Sequence, residues 1–148
     1  MKYSHNYSKL DSIYYTTIRR YPKGKVGDVV LETYPKGQHY AEILSIERET
    51  LDMTAPQVLY ADTDKSNRID VYNLFQSFYK KTIDFVKERF YIYRMKKVIG
   101  DICGMCNVGV MYHFKLYAFR CCNCNFSYQI DPAGTFPKIT ILNRGKKI

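Results

Sequence analysis

Apolar residues recur along this chain with two periods. Val71, Leu74, Phe75, Phe78 and Tyr79 fall at i, i+3, i+4, i+7 and i+8, the spacing of one buried helical face. Asn67 with Asp70 three residues on resembles a capping box, so the pattern predicts a helix that starts there and ends near "YKKT". "DVVLETY" (Asp28–Tyr34) and "HYAEILSIER" (His39–Arg48) are instead rich in strand formers and flank the turn signal "PKGQ", which predicts a hairpin. In "TAPQVLYAD", Thr54 is the expected N-cap and Pro56 lies in the first turn of a short helix. "ERFYIYRMKKV" (Glu88–Val98) is β-branched and aromatic and fits a long closing strand. The expected class is α+β: a small β-barrel with helices over one side, followed by a β-rich module.

That module is set apart by its cysteines, all five of which fall between residues 103 and 124. "CGMC" (Cys103, Cys106) and "CCNC" (Cys121, Cys124) give two C-x2-C pairs separated by fourteen residues, the spacing of a zinc ribbon. Each knuckle presents two thiolates from a tight turn, and one tetrahedral Zn²⁺ takes all four. With no open coordination position such a zinc is structural. "VGVMYHFKLYAFR" supplies a hairpin between the knuckles and "FPKITILN" a third strand. Two disulfides would need an oxidising compartment, and a redox C-x-x-C does not explain two such pairs. Cys122 offers an alternative to Cys121 as ligand; His113, in mid-hairpin, is a poorer one. The expected domains are residues 1–98 and 99–148.

Charge points towards polyanions. The net charge is +9, with 17 basic and 12 acidic groups in residues 1–98 against 6 and 2 in residues 99–148, so the cysteine module is proportionally the more basic. On its surface Lys115, Arg120, Lys138, Arg144, Lys146 and Lys147 outnumber Asp101 and Asp131. Fifteen tyrosines and no tryptophan add rings on which bases can stack. No apolar run is long enough to span a membrane, and "MKYSHNYSKLDS" lacks the apolar core of a signal peptide. The expectation is a soluble, cytoplasmic protein with no membrane partner.

The first part contains, in order, "TTIRR", "KVGDVVLETYPKG", "HYAEILSIE" and "DTDKSNRIDVYNLFQSFY". Over roughly Ser12 to Val98 this order and spacing resemble the ASCH family of PUA-like barrels associated with RNA. The resemblance implies a small barrel with a cleft between barrel and helices. On a strand, Thr17 and Arg19 share one face while Thr16, Ile18 and Arg20 share the other, so Thr17 and Arg19 can line that cleft as Ile18 packs inside. Some ASCH proteins are amidohydrolases of N4-acylated cytidine that use a Lys, a Thr three residues later and a downstream Glu. Carried onto this sequence, the Thr falls at Thr17, the acid near Asp64 and the lysine at Tyr14, a departure that counts against hydrolysis.

The resulting expectation is a non-enzymatic nucleic-acid-binding protein, with RNA or another single strand as partner. The cleft holds a nucleotide and the ribbon grips the backbone. Thr17, Arg19, Lys23, Lys25, Arg94, Lys96, Lys97, Lys115 and Lys138 are the candidate contacts. The rivals are an amidohydrolase with Thr17 as nucleophile and Asp64 as acid or base, and an adaptor that docks on proteins of the transcription or translation machinery.

Overall fold

The computed structural model describes residues 1–133 and 138–145. The chain divides into two compact units, Met1–Lys97 and Val98–Ile148. The first is built on an antiparallel sheet of β1 (Tyr14–Arg19), β2 (Val29–Tyr34), β3 (Gly37–Thr50) and β4 (Arg89–Lys97), in the order β1-β4-β3-β2. Its helices are a 3-10 turn at Ser8–Asp11, α1 (Pro56–Thr63) and α2 (Arg68–Ser77). The architecture is α+β, and the sheet curls into a half-barrel rather than closing.

The hairpin forms as its sequence predicts, with Pro35 and Lys36 as a two-residue turn and Tyr34 opposite Gly37. β3 runs longer than expected and carries a bulge between Ile43 and Ser45, which bends the strand and increases its twist. Gly27, in the Gly-Asp turn before β2, has φ +88 and donates its N–H to Ile43 O at 2.8 Å. A side chain there would be held in the left-handed region.

β1 and β2 are the two edges of this sheet, and residues 1–11 contact β2 at one end and the β1–β4 side at the other. At one end Tyr3 N–H donates to Thr33 O and Thr33 N–H to Met1 O, both at 2.8 Å, adding a short parallel pairing to the edge of β2. At the other end, Lys97 Nζ donates to Leu10 O at 2.6 Å. Inside, Glu32 is fully buried and accepts from Tyr3 Oη at 2.6 Å, from Tyr15 Oη, and from His39 Nε2 at 2.9 Å. Burial pushes this carboxyl up, but the hydrogen bonds from His39, Tyr15 and Tyr3 outweigh it and hold the group below its ordinary value.

α2 starts as its sequence predicts: the Asn67 side chain accepts from Asp70 N–H at 2.9 Å. It ends at Ser77, so Phe78 and Tyr79 lie beyond it. Val71 and Phe75 bury fully with Leu51, Leu59, Phe90 and Ile18, each such side chain contributing about 1.5–3 kcal/mol. Thr54 does not cap α1. Its hydroxyl donates back to Thr50 O at 2.8 Å and the N-cap is Ala55, without a side-chain bond. Pro56 takes the first helical position, where its missing N–H costs nothing.

The second unit is a four-stranded antiparallel sheet, β5 (Met111–Lys115), β6 (Ala118–Cys121), β7 (Ser127–Asp131) and β8 (Lys138–Asn143), in sequence order. The expected hairpin is β5–β6, and "KITILN" supplies the last strand; Phe136 and Pro137 lie outside the described residues. β7, formed by "SYQID", is an addition that the sequence reading did not assign. Among the described residues no helix is long and apolar enough to cross a membrane.

Candidate functional sites: a polar cavity and a four-cysteine cluster

Beside β1, which is an edge strand, lies a cavity of about 290 Å³. Because it runs along the strand edge, Thr17, Ile18 and Arg19 all reach it. α1 contributes Asp62, the 3-10 turn Lys9 and the amino-terminal segment Tyr3 and Tyr7. Thr17 and Arg19 thus come together as the sequence suggested, but their acidic neighbour is Asp62. Asp64 does not line the cavity. It ends α1 in a left-handed conformation, φ 56, and accepts from the backbone N–H of Ser8 at 2.8 Å and from the Ser8 hydroxyl.

Lys9 is the residue that sequence reading missed. Its ammonium is buried, forms an ion pair with Asp62, and lies 3.4 Å from Thr17 Oγ1. It also sits 5.0 Å and 5.3 Å from the ring centroids of Tyr3 and Tyr7, within cation–π range. Burial lowers the Lys9 pKa and raises that of Asp62, each against the pull of the other's charge. The attraction between the two charges thus works against a burial that disfavours both. No local signal in "NYSKLDS" marks this lysine, because its partners come from β1 and α1.

Arg19 is the other unusual group. Its guanidinium lies over the Tyr3 ring, 4.5 Å from the centroid, and its Nε and Nη2 are buried without a hydrogen-bond partner. Buried polar groups are nearly always paired, so two orphaned donors on one cavity-lining guanidinium mark a place for acceptors. Arg20, by contrast, is satisfied: Nε and Nη2 reach the two Glu88 oxygens at 2.6 and 3.1 Å.

The other expected contacts of the first unit do not join this cavity. Lys23 and Lys25 are exposed in the loop before β2. Arg94 and Lys96 pair with Thr16 and Tyr14 in the β1–β4 register, so they emerge on the opposite face from Thr17. There Arg94 lies 3.7 Å from Glu47, and Lys96 lies 5.7 Å from the centroid of the exposed Tyr14 ring. Lys97 is tied to the Leu10 carbonyl.

In the second unit the sulfurs of Cys103, Cys106, Cys121 and Cys124 all lie within 4.8 Å of one another. Cys103 and Cys124 are 3.9 Å apart and Cys106 and Cys121 3.7 Å, so sulfurs of the two knuckles approach each other closely. Four sulfurs about 2.3 Å from one metal would stand about 3.8 Å apart in a tetrahedron, so the donor set fits zinc. Cys122 is outside the set and its sulfur accepts from Val110 N–H at 3.2 Å. His113 is also outside it, packed 4.0 Å from the Phe119 ring centroid.

The knuckles repeat one another. In each, the residue after the second cysteine is an asparagine in the left-handed region, Asn107 at φ 55 and Asn125 at φ 61. Each donates its N–H back to the first cysteine's carbonyl, at 2.8 and 3.2 Å. Asparagine tolerates this conformation better than most residues. Amides aim at the sulfurs: Gly109 N–H at Cys106 Sγ, and Asn123 and Cys124 N–H at Cys121 Sγ, at 3.3–3.4 Å. The Gly109 amide is the main cause that holds the Cys106 thiol down at about 6, while burial pushes Cys121 up to about 12. A dication among the four would offset that burial penalty by stabilising every thiolate. Gly109 has no room for a side chain, since a Cβ would meet Cys121 Sγ at 2.5 Å.

No family model matches this chain, and no curated protein or solved structure matches it. The geometry therefore carries the functional argument. One unit offers a cavity with an unpartnered cationic fork and a Lys–Thr–Asp cluster, and the other a closed four-thiol set.

Proposed function

We propose that this chain is a nucleic-acid-binding protein whose first unit, ASCH-like in its sequence, holds a nucleotide in the cavity beside β1. The second unit is then a zinc ribbon that contacts the backbone. The supporting observation is Arg19: two buried donors with no partner, over a tyrosine ring, in a cavity at the small end of the ligand-pocket range. A guanidinium fork pairs with two neighbouring acceptors, as phosphate oxygens and base edges provide. The rings of Tyr3, Tyr7, Phe78 and Tyr79 line the same space, as single-strand recognition by stacking requires.

A second reading, hydrolysis of N4-acylated cytidine or a related modified nucleoside, is favoured by Lys9. The lysine missing at Tyr14 in the ASCH amidohydrolase pattern is supplied in space from the 3-10 turn, 3.4 Å from Thr17 Oγ1. In that reaction Thr17 Oγ attacks the acyl carbonyl and its proton passes to Lys9, which hands one of its own to the ion-paired Asp62 carboxylate. The C–N bond then breaks as the proton passes to the leaving amine, and water cleaves the acyl ester to regenerate Thr17.

One experiment separates the two readings. Cytidine monophosphate and N4-acetylcytidine are titrated calorimetrically into the protein and the mixtures are assayed for acetate. Binding that Arg19→Ala weakens, without acetate release, supports the nucleotide-holding reading. Catalytic acetate release that Thr17→Ala abolishes establishes the hydrolase instead. Absence of both binding and turnover would refute the cavity's assignment.

A further inference from the structure

In the second unit's sheet, two departures from regular pairing flank the row that joins Phe119 to Tyr128. The β5–β6 register shifts between His113 and Lys115, and the β7–β8 register shifts between Ser127 and Tyr128. Bulges re-aim side chains and gather beside functional sites. Here they open a concavity of about 480 Å³ lined by Phe114, Lys115, Arg120, Asn125, Ser127 and Asn143, together with Leu142.

The chemistry of that concavity has one sign. Phe114, the residue at the first shift, puts its ring 4.2 Å from the Arg120 guanidinium carbon, and Lys115 Nζ lies 5.7 Å from the same centroid. Stacking of this kind holds an arginine in place while leaving its edge donors free. Asn143 uses its side-chain oxygen to accept Gly145 N–H at 2.8 Å, so the group it has left to offer is an NH₂ donor. No carboxylate lines the concavity, and among the described residues neither Arg120 nor Lys115 forms an ion pair. Two cations and an amide donor therefore converge without a counter-charge.

From this we infer that the concavity around Arg120 is a phosphodiester site, the place where the second unit grips a single strand. The inference rests on the nucleic-acid reading above and narrows it. The grip is a built site with an oriented guanidinium, not a field spread over the surface lysines. It also separates residues that the sequence treats alike. Lys138 is opposite Asp131 at the far end of β8 from Asn143, about 17 Å away at the usual rise per residue. Lys146 and Lys147 lie outside the described residues.

The test is fluorescence anisotropy with a labelled fifteen-nucleotide oligouridylate and its deoxy counterpart, at two salt concentrations, on the full chain with its zinc content measured. Arg120→Gln and Lys115→Gln should each weaken binding several-fold and lower the slope of log affinity against log salt by about 0.7, the value for one single-strand phosphate contact. Lys138→Gln should leave both nearly unchanged, and Arg120→Lys should restore the slope but not the full affinity, because charge returns without the planar fork. Equal losses from Lys138→Gln and Arg120→Gln, with zinc retained, would overturn the site in favour of a diffuse field. If the intact protein binds neither oligonucleotide, the nucleic-acid reading fails and this inference falls with it. If it binds and only cavity substitutions matter, this inference alone is lost.

Discussion

Removing Lys9 should do more than delete one hydrogen bond. Lys9 and Asp62 form a buried ion pair, and taking away one partner of such a pair leaves the other charge uncompensated, at a cost of about 3–5 kcal/mol. Lys9→Met keeps the aliphatic stem and isolates Asp62. With domain stabilities of about 5–15 kcal/mol, that loss should move the unfolding midpoint by on the order of 2 M in urea. The isolated Asp62 escapes part of the penalty by taking up a proton, since burial already raises its pKa.

The sign of the pH dependence follows. In Lys9→Met the folded state holds a proton on Asp62 at pH values where the unfolded carboxyl has lost it, so stability falls as pH rises. The variant should come closest to wild type near pH 4–5 and trail most at pH 8. Replacing both partners, Lys9→Met with Asp62→Leu, should recover most of the loss, because an apolar pair of similar size is often neutral or better. Urea titrations of the four proteins of this cycle at pH 5 and pH 8 measure the coupling. A Lys9→Met protein as stable as wild type at both pH values would show that the pair is not buried as described.

Protein purified without added metal should carry one zinc per chain by elemental analysis; Cys103→Ser should abolish it and unfold residues 98–148, while the near-ultraviolet spectrum of the first unit, which holds no ligand, persists. Arg19→Ala should reduce discrimination among bound nucleotides by about 1–3 kcal/mol, the worth of one bidentate base contact, read from calorimetric affinities for several mononucleotides. Glu32→Gln should destabilise the first unit by roughly 1–3 kcal/mol at pH 7 by weakening the acceptor of two tyrosines and a histidine. Since the Glu32 pKa is depressed in the folded protein, the deficit should shrink as the pH falls through that value, and a deficit that grows on acidification would contradict the assignment.

What the sequence made legible is what local rules encode. The Asn67 cap, the Pro35–Lys36 turn and the C-x2-C spacing each act within a few residues, and each appears in the structure. The failures have a common origin. Thr54 reads as a cap by type and position, yet its hydroxyl finds the Thr50 carbonyl first, as threonine often does. The family resemblance puts the acid near Asp64, but Asp62, two residues earlier, is the carboxylate that lines the cavity, and only packing decides which of the two turns inward. Lys9 was invisible because its role depends on strand β1 and helix α1, 8 and 53 residues away. The left-handed asparagines that follow each C-x2-C pair, in "CGMCN" and "CCNCN", are a further local signal of two matching knuckles.

The polar interior of the first unit can be sorted by a single physical criterion. Buried ionisable groups cost more than apolar residues of the same volume unless every donor and acceptor is paired. Glu32 meets that condition: two tyrosine hydroxyls and a histidine fill its oxygens, it does not line the cavity, and its role is to tie β1 and the amino-terminal segment to β2. Lys9 and Asp62 meet it only with each other, and Thr17 is held at a distance long for a strong bond. Arg19 fails it outright at two nitrogens. Among these four charged side chains satisfaction thus declines towards the cavity, while the other unpaired buried atoms, His39 Nδ1, Ser45 Oγ and Tyr72 Oη, belong to residues that do not line it. A fold selected for stability alone would have no reason to grade it that way, whereas a site completed by an incoming ligand leaves unpaired the donors that the ligand will meet. Filling the cavity should therefore stabilise the first unit by an amount set by the ligand's affinity, and most of that gain should disappear in Arg19→Leu, which keeps the bulk but offers no donor. Thermal shifts of both proteins across a series of cytidine monophosphate concentrations measure it. Equal shifts in the two would mean that Arg19 is satisfied by the Tyr3 ring alone and that the cavity binds by shape.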